Sequence, residues 1–283
     1  MTALSDCSFR PSLECHCERR VGGTSFTYDA PPAGETHFEL SGGAYKRSYW
    51  RCGLCSHQFA DHQLDLSTLY EGDYVEQTYG GKLRATFERI LDLPPEHSDN
   101  SGRVSRVRDF AKRNLPSESF PSLLDVGSGL GVFPFRMKEE GYDCTALEPD
   151  SVAGKHLDKV VGVRTIVADF FDTDPNEIGK FDIVTLNKVI EHVEQPVSML
   201  RRAAALLKPN GLLYVEVPDV IAAFEGPERE EFFIEHHHVF SPASLAMSGD
   251  RAGLEVLRLE RLREPSGKFT IFMFARSRRE IPA

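Results

Sequence analysis

Leu123-Leu124-Asp125-Val126-Gly127-Ser128-Gly129-Leu130-Gly131, followed by the helical run 132–141, decides the fold. A short apolar run passes into three glycines and then into a helix-forming pattern, the context in which a glycine-rich loop has meaning. Glycines at the end of a first strand let backbone pass close to a ligand, because no Cβ intervenes. A dinucleotide loop would read G-x-G-x-x-G. Here the third glycine comes one residue early and Val132 takes its place. No Gly-Lys-Ser/Thr follows, which excludes a Walker loop. The spacing favours a nucleoside ligand without a pyrophosphate.

Outward from this loop, strand patterns at 143–147, 165–168, 181–186 and 212–217 alternate with helical stretches, the last of them at 196–207. Lys208-Pro209-Asn210-Gly211 reads as a turn before the last of these strands. Such alternation predicts an α/β fold, a doubly wound, mostly parallel sheet with helices on both faces. Residues 254–262 and 269–275 face each other across Pro265-Ser266-Gly267, a connection too short for a helix. They are expected to close the sheet as an antiparallel hairpin. Ligands of such sheets bind where strand C-termini meet. Asp125, Glu148, Asp169 and Asn187 each stand at such an end. Glu148 can accept both hydroxyls of a ribose, and Asp169 a hydrogen bond from an adenine amino group. Taken singly, an acid after a strand is usually a helix cap; four in order behind the glycine loop point to one ligand site.

These residues, with Phe181-Asp182-Ile183-Val184, Glu191-His192-Val193 and the Lys208–Gly211 turn, resemble the ordered motifs of class I S-adenosylmethionine-dependent methyltransferases over about residues 116–275. The resemblance implies a Rossmann-like sheet of seven strands with a reversed terminal hairpin. It implies S-adenosylmethionine as the methyl donor, with Gly127, Gly129 and Gly131 bordering the methionine moiety. Glu148 and Pro149 would then lie at the ribose, Asp169 and Phe170 at the adenine, and Asn187 and His192 along the same pocket. Tyr79, in the aromatic stretch 69–80, is placed to cap cofactor and substrate, as is Tyr74, with surface packing an equal reading.

Between the last parallel strand and the hairpin lies Glu235-His236-His237-His238-Val239-Phe240-Ser241, inside an acceptor-site segment at about 220–250. Histidine titrates near neutrality and suits a general base. The segment is similar to the Glu-His-x-x-x-Phe-Ser/Thr run of a small-molecule subfamily that includes sugar methyltransferases. That likeness implies His236 as base, Glu235 orienting it and His238 as runner-up. Three consecutive side chains diverge on any regular element, which disfavours one metal held by all three.

Five of the six cysteines lie before residue 56. Cys52-Gly53-Leu54-Cys55 has knuckle spacing, and Cys15-His16-Cys17 could supply a second pair to a closed tetrahedral Zn2+ site of structural type. The run 49–57 resembles the second half of the zinc-binding module of sugar methyltransferases. The C-x-C spacing of the first pair departs from that module, so His16 or His57 could replace a thiol. Residues 1–80 therefore read as a cysteine-rich, zinc-ribbon-like module, 81–115 as a helical linker or lid, and 116–283 as the methyltransferase domain. The expected ring-carbon relatives continue into a further α/β domain, whereas this sequence ends soon after its hairpin, favouring O- or N-methylation of a sugar-like acceptor. Two other readings stand: O-methylation of a phenolic metabolite, and macromolecular docking through the cysteine module.

The 283 residues are 41% hydrophobic and 27% charged, enough for a sizeable core, and the formal charge of −10 disfavours nucleic acid and anionic lipid as partners. Through residue 115 there are 14 basic and 16 acidic side chains, so the cysteine-rich part is no basic surface either. The arginines of 103–113 read as the solvated face of an amphipathic helix, with Val104, Val107, Phe110 and Ala111 on the other side. With no apolar run of membrane-span length and no secretory h-region, the expected setting is cytoplasmic, with a small-molecule partner.

Overall fold

The computed structural model describes residues 17, 21–36, 38, 44–64, 66, 81–116 and 120–278. Three strands come first: β1 (Gly22–Tyr28), β2 (Arg47–Cys52) and β3 (Gln58–His62). Helices α1 (Leu83–Leu91) and α2 (Asp99–Asn114) follow. Then β4 (Ser122–Val126), α3 (Val132–Glu139), β5 (Asp143–Glu148), α4 (Ser151–His156), β6 (Arg164–Val167) and α5 (Pro175–Ile178) alternate. The chain continues through β7 (Phe181–Asn187), α6 (Pro196–Ala205), β8 (Leu207–Pro218), β9 (His238–Val239), α7 (Pro242–Arg251), β10 (Leu254–Arg263) and β11 (Phe269–Ser277).

Seven strands form one sheet in the order β10-β11-β8-β7-β4-β5-β6. β4 pairs in parallel with β5 and β7, as do β5 with β6 and β7 with β8; β11 runs antiparallel to both β8 and β10. The expected doubly wound sheet with a reversed hairpin is therefore present. β4 sits in the middle because Leu123, Leu124 and Val126 are all buried, one cluster of core residues lying on each face. One expectation is corrected. Lys208–Asn210 do not form a separate turn but are absorbed into β8, with Asn210 at φ 65° and a slip in the β7–β8 register between Phe181 and Ile183. A bulge takes up the extra residues locally while the ladder continues.

Helix α2 buries Val104, Val107, Phe110 and Ala111 as its periodicity requires, and Phe110 stacks on Phe274 of β11 at 3.9 Å. Its basic face is not wholly solvated, however. Arg103 and Arg106 turn inward onto the buried carboxylate of Glu216 in β8.

The second sheet has the order β1-β2-β3-β9, so a strand from after the parallel core completes the sheet begun by the cysteine-rich part. Gln58 and Phe59 pair antiparallel with Val239 and His238. Among the described residues no helix is long and apolar enough to cross a membrane.

Candidate active site

The glycine loop leaves β4 at Val126, and Gly127, Gly129 and Gly131 take φ values of 68°, 49° and 73°. This left-handed region is open to glycine and strained for other residues. Space adds a second constraint. A Cβ on Gly127 would lie 2.8 Å from Val189 Cγ2, and one on Gly131 2.6 Å from Leu157 Cδ2, whereas Gly129 faces open space. Two glycines thus let the loop pack down, and the third exposes backbone to a cavity of about 320 Å³.

That cavity is lined by Gly127, Gly129, Glu148, Pro149, Asp169, Phe170 and His192, seven of the residues expected there. Glu148 is fixed at the end of β5: its Oε2 accepts from the Gly129 amide at 2.8 Å and its Oε1 from the Asp150 amide at 3.1 Å. Burial raises its pKa, and the two amides oppose that shift. Asp169 accepts from the Phe171 amide at 2.6 Å, a turn-capping bond, while Phe170 offers a buried ring beside it.

Asp125 and Asn187 line instead a second cavity of about 330 Å³ across the loop. Asp125 Oδ1 accepts from Thr185 Oγ1 at 2.6 Å and Asn187 Nδ2 at 2.8 Å; burial raises the carboxyl to about 6. Gly127 borders both cavities, so one ligand can pass across the loop. Arg103 and Asn100 of α2 and Lys268 of the hairpin turn also line the second cavity. Arg103, expected on the solvated face of its helix, lines this cavity instead. Its guanidinium is held bidentate on Glu216, which bonds Tyr214 and Arg106 as well, and these cations keep the buried Glu216 carboxyl well below its usual range. A cation so anchored can meet the carboxylate of an amino-acid tail.

Beside the first cavity, which His192 lines, one donor atom each of Glu191, His192 and His236 lies within 4.8 Å of the others. The His192 and His236 rings meet edge to face at 4.8 Å. His236 Nδ1 is 3.0 Å from the Glu231 carbonyl, and His192 Nδ1 is 3.0 Å from that of Glu235. A carbonyl only accepts, so both rings carry their proton on Nδ1 and turn Nε2 the other way. Burial, with the neighbouring His192, holds His236 well below the usual histidine range; burial puts His192 at about 4. Both rings are neutral at physiological pH.

The expected helpers of His236 are placed differently. No hydrogen bond joins the Glu235 carboxylate to the His236 ring, and burial raises that carboxyl to about 7. Glu191 is the carboxylate in the cluster, fully buried and with neither oxygen bonded to another described residue. His238 faces away: Nδ1 lies 3.0 Å from His57 Nε2, and Nε2 3.4 Å from the Glu194 carbonyl. It serves as a buried link in the second sheet. Lys188 was overlooked in reading the sequence. At φ 58°, it sends Nζ to Thr270 Oγ1 at 2.7 Å, and its charge offsets part of the burial penalty on Glu191. Burial prevails all the same, raising the Glu191 carboxyl to about 8 and lowering the Lys188 ammonium.

In the cysteine-rich part, the sulfurs of Cys17, Cys52 and Cys55 lie within 4.8 Å of one another, Cys17 and Cys52 at 3.5 Å. The Leu54 amide points at Cys52 Sγ at 3.4 Å, as in a metal knuckle. His57 does not join them; its ring bridges Ser244 at 3.1 Å and His238 at 3.0 Å. Cys15, His16, Tyr74 and Tyr79 lie outside the described residues.

The chain is similar to known proteins. The family described as "Methyltransferase domain" matches residues 99–259. A ubiquinone biosynthesis O-methyltransferase of Bordetella avium is 28% identical over 200 residues, 64% of this chain and 81% of that protein. The protein of the same name from Vibrio parahaemolyticus is 30% identical over 178 residues, 58% of this chain and 74% of its own. Among solved structures, the Burkholderia thailandensis 1,6-didemethyltoxoflavin-N1-methyltransferase with bound S-adenosylhomocysteine is similar in fold. Its TM-score is 0.54 at 19% identity, covering 79% of this chain and 96% of that one. Magnesium protoporphyrin IX methyltransferase of Synechocystis, also with S-adenosylhomocysteine, scores 0.53 at 15% identity, over 72% and 99%. With a family match across more than half its length and a glycine loop set between two cavities, the chain belongs to the methyltransferase-domain family and is a class I S-adenosylmethionine-dependent methyltransferase.

Proposed function

We propose that this methyltransferase O-methylates a small polar, sugar-like acceptor, with His236 as general base. The observation that carries the base is a neutral, half-buried imidazole whose Nδ1 is tied to a carbonyl, leaving Nε2 as the proton-accepting atom. When bound, S-adenosylmethionine supplies an electrophilic methyl group on a sulfonium. Glu148 holds its ribose, Asp169 and Phe170 meet the adenine, and Asp125, Asn187 and Arg103 take the amino-acid end. His236 receives the acceptor's hydroxyl proton at Nε2.

The polar surroundings of His236, built from Glu191, His192, Glu235 and Lys188, support a hydroxylated acceptor. The name of the Bordetella and Vibrio relatives favours a second reading, an aromatic hydroxyl as acceptor. Labelled S-adenosylmethionine offered with nucleotide-linked sugars and, separately, with 3,4-dihydroxybenzoate separates them, the methylated atom being located by NMR. Transfer to the catechol alone would overturn the sugar-like assignment.

Cys17, Cys52 and Cys55 fit Zn2+ as three thiolate ligands of a structural site, and Cys15 is the proposed fourth. Elemental analysis of the purified chain is expected to find one zinc. Cys52→Ser is expected to lose it, with a fall in thermal midpoint of about 5 °C or more, since structural zinc contributes folding energy directly. A metal-free wild-type chain with the same midpoint sinks the assignment.

A further inference from the structure

The segment that carries His236 has little regular structure of its own. A 3₁₀ turn at Glu230–Phe232 leads into irregular backbone before β9. Its carbonyls need donors, since buried backbone polar groups left unpaired are costly. Those donors come from the second sheet. Tyr49 of β2, wholly buried, gives its hydroxyl proton to the His236 carbonyl at 2.6 Å, with the Phe233 carbonyl at 3.2 Å. Arg47, two residues earlier and so on the same face, bonds the Phe232 carbonyl at 2.6 Å and Glu35 Oε2 at 2.8 Å. The same Glu35 oxygen accepts from the Ile234 amide at 2.7 Å. Ala60 of β3 then takes the His237 carbonyl at 2.9 Å.

From four consecutive positions, 234 to 237, three backbone groups are thus claimed by the cysteine-bearing part, two by strands β2 and β3 and one by Glu35 in the connection between β1 and β2. The knuckle is tied to the same region, because the Cys55 carbonyl accepts from the Ser241 hydroxyl at the start of α7. The Glu235 carbonyl turns the other way, onto His192 Nδ1, and the His236 ring meets the His192 ring edge to face. We propose that β2 is the positioning frame of the His236 segment, with Tyr49 its positioning residue and the Arg47–Glu35 ion pair its second anchor. The cysteine-bearing module thereby forms the outer wall of the acceptor site instead of an appended docking element. The catalytic consequence rests on His236 as base; the anchoring does not.

Tyr49→Phe tests it, since the ring keeps its edge-to-face packing on Phe232 and only the hydroxyl goes. With S-adenosylhomocysteine bound, amide exchange at 233–237 is expected to rise about tenfold, a local opening eased by one lost hydrogen bond. The His236 ring nitrogens, read by 15N NMR, should change from one tautomer to a mixture. S-adenosylhomocysteine affinity should stay within about twofold, because no cofactor contact is touched. Arg47→Lys should raise exchange at 232–234 in the same way. Phe110→Leu, on the far face of the large sheet, is the control for general loosening. Unchanged exchange and tautomer in Tyr49→Phe overturn the proposal, as does equal acceleration in Phe110→Leu. If His236→Ala retains full turnover, the base assignment fails while these readouts still report on the frame.

Discussion

Glu148→Ala is expected to weaken S-adenosylmethionine binding by about a hundredfold or more, measured by titration calorimetry. The carboxylate is 7% exposed and already pinned by the Gly129 and Asp150 amides, so no reorganisation precedes its use. Hydrogen bonds to a charged acceptor contribute about 1.5–3 kcal/mol each, and two ribose hydroxyls would lose theirs together. Each 1.4 kcal/mol is about tenfold in affinity. The variant also strands the Gly129 amide, so the glycine loop loses its tether to β5. Glu148→Gln keeps the shape but offers an amide hydrogen where one of those two N–H groups points, and should lie between the two. Thermal melts establish that both variants fold. A dissociation constant within threefold of wild type in Glu148→Ala would remove Glu148 from the cofactor site.

His236→Ala should cut kcat by about 10²- to 10⁴-fold, the usual contribution of a general base, while leaving S-adenosylmethionine affinity within about twofold. The pH profile sharpens the test. Burial depresses the His236 pKa well below 6.5, and the ring is faced by His192 and Glu191 from the turn after β7, by Lys188, and by Lys268 of the hairpin. A depressed pKa means that the free-base form persists as pH falls. Turnover should therefore stay level from pH 8 down to about 6 and decline only below that. An acid limb centred on the ordinary histidine value, or near-normal turnover in His236→Ala, would put the proton elsewhere.

How much of this was legible in the sequence follows from the range of each interaction. The strand–glycine–helix run and the acids at strand ends are local patterns, and all of Glu148, Pro149, Asp169 and Phe170 line the first cavity. The two long-range contacts that mattered most were invisible for the opposite reason. Tyr49 meets the His236 carbonyl across 187 positions, and Arg103 meets Glu216 across 113. No periodicity encodes such a partner. The arginines of α2 show the failure clearly: helical spacing separates apolar from basic positions but cannot say that Arg103 and Arg106 will find a buried glutamate. His57 was read as a spare metal ligand because it follows the knuckle; its ring instead found Ser244 and His238, which only the closed sheet brings near. Lys188, in a left-handed conformation just past β7, carried no motif at all.

The two-residue strand β9 has a kinetic meaning. Among the described residues, β3 is bordered on one side by β2 and on the other by His237, His238 and Val239, roughly 180 positions later in the chain. Until those residues have been synthesised and the parallel sheet has carried them into place, the outer edge of β3, with Phe59 and Ala60, is an open template for strand pairing. The sheet begun first is therefore the last to close. Folding should show a slow final phase set by this long-range closure, and destabilising β9 should promote aggregation of nascent chains before it costs the finished enzyme stability.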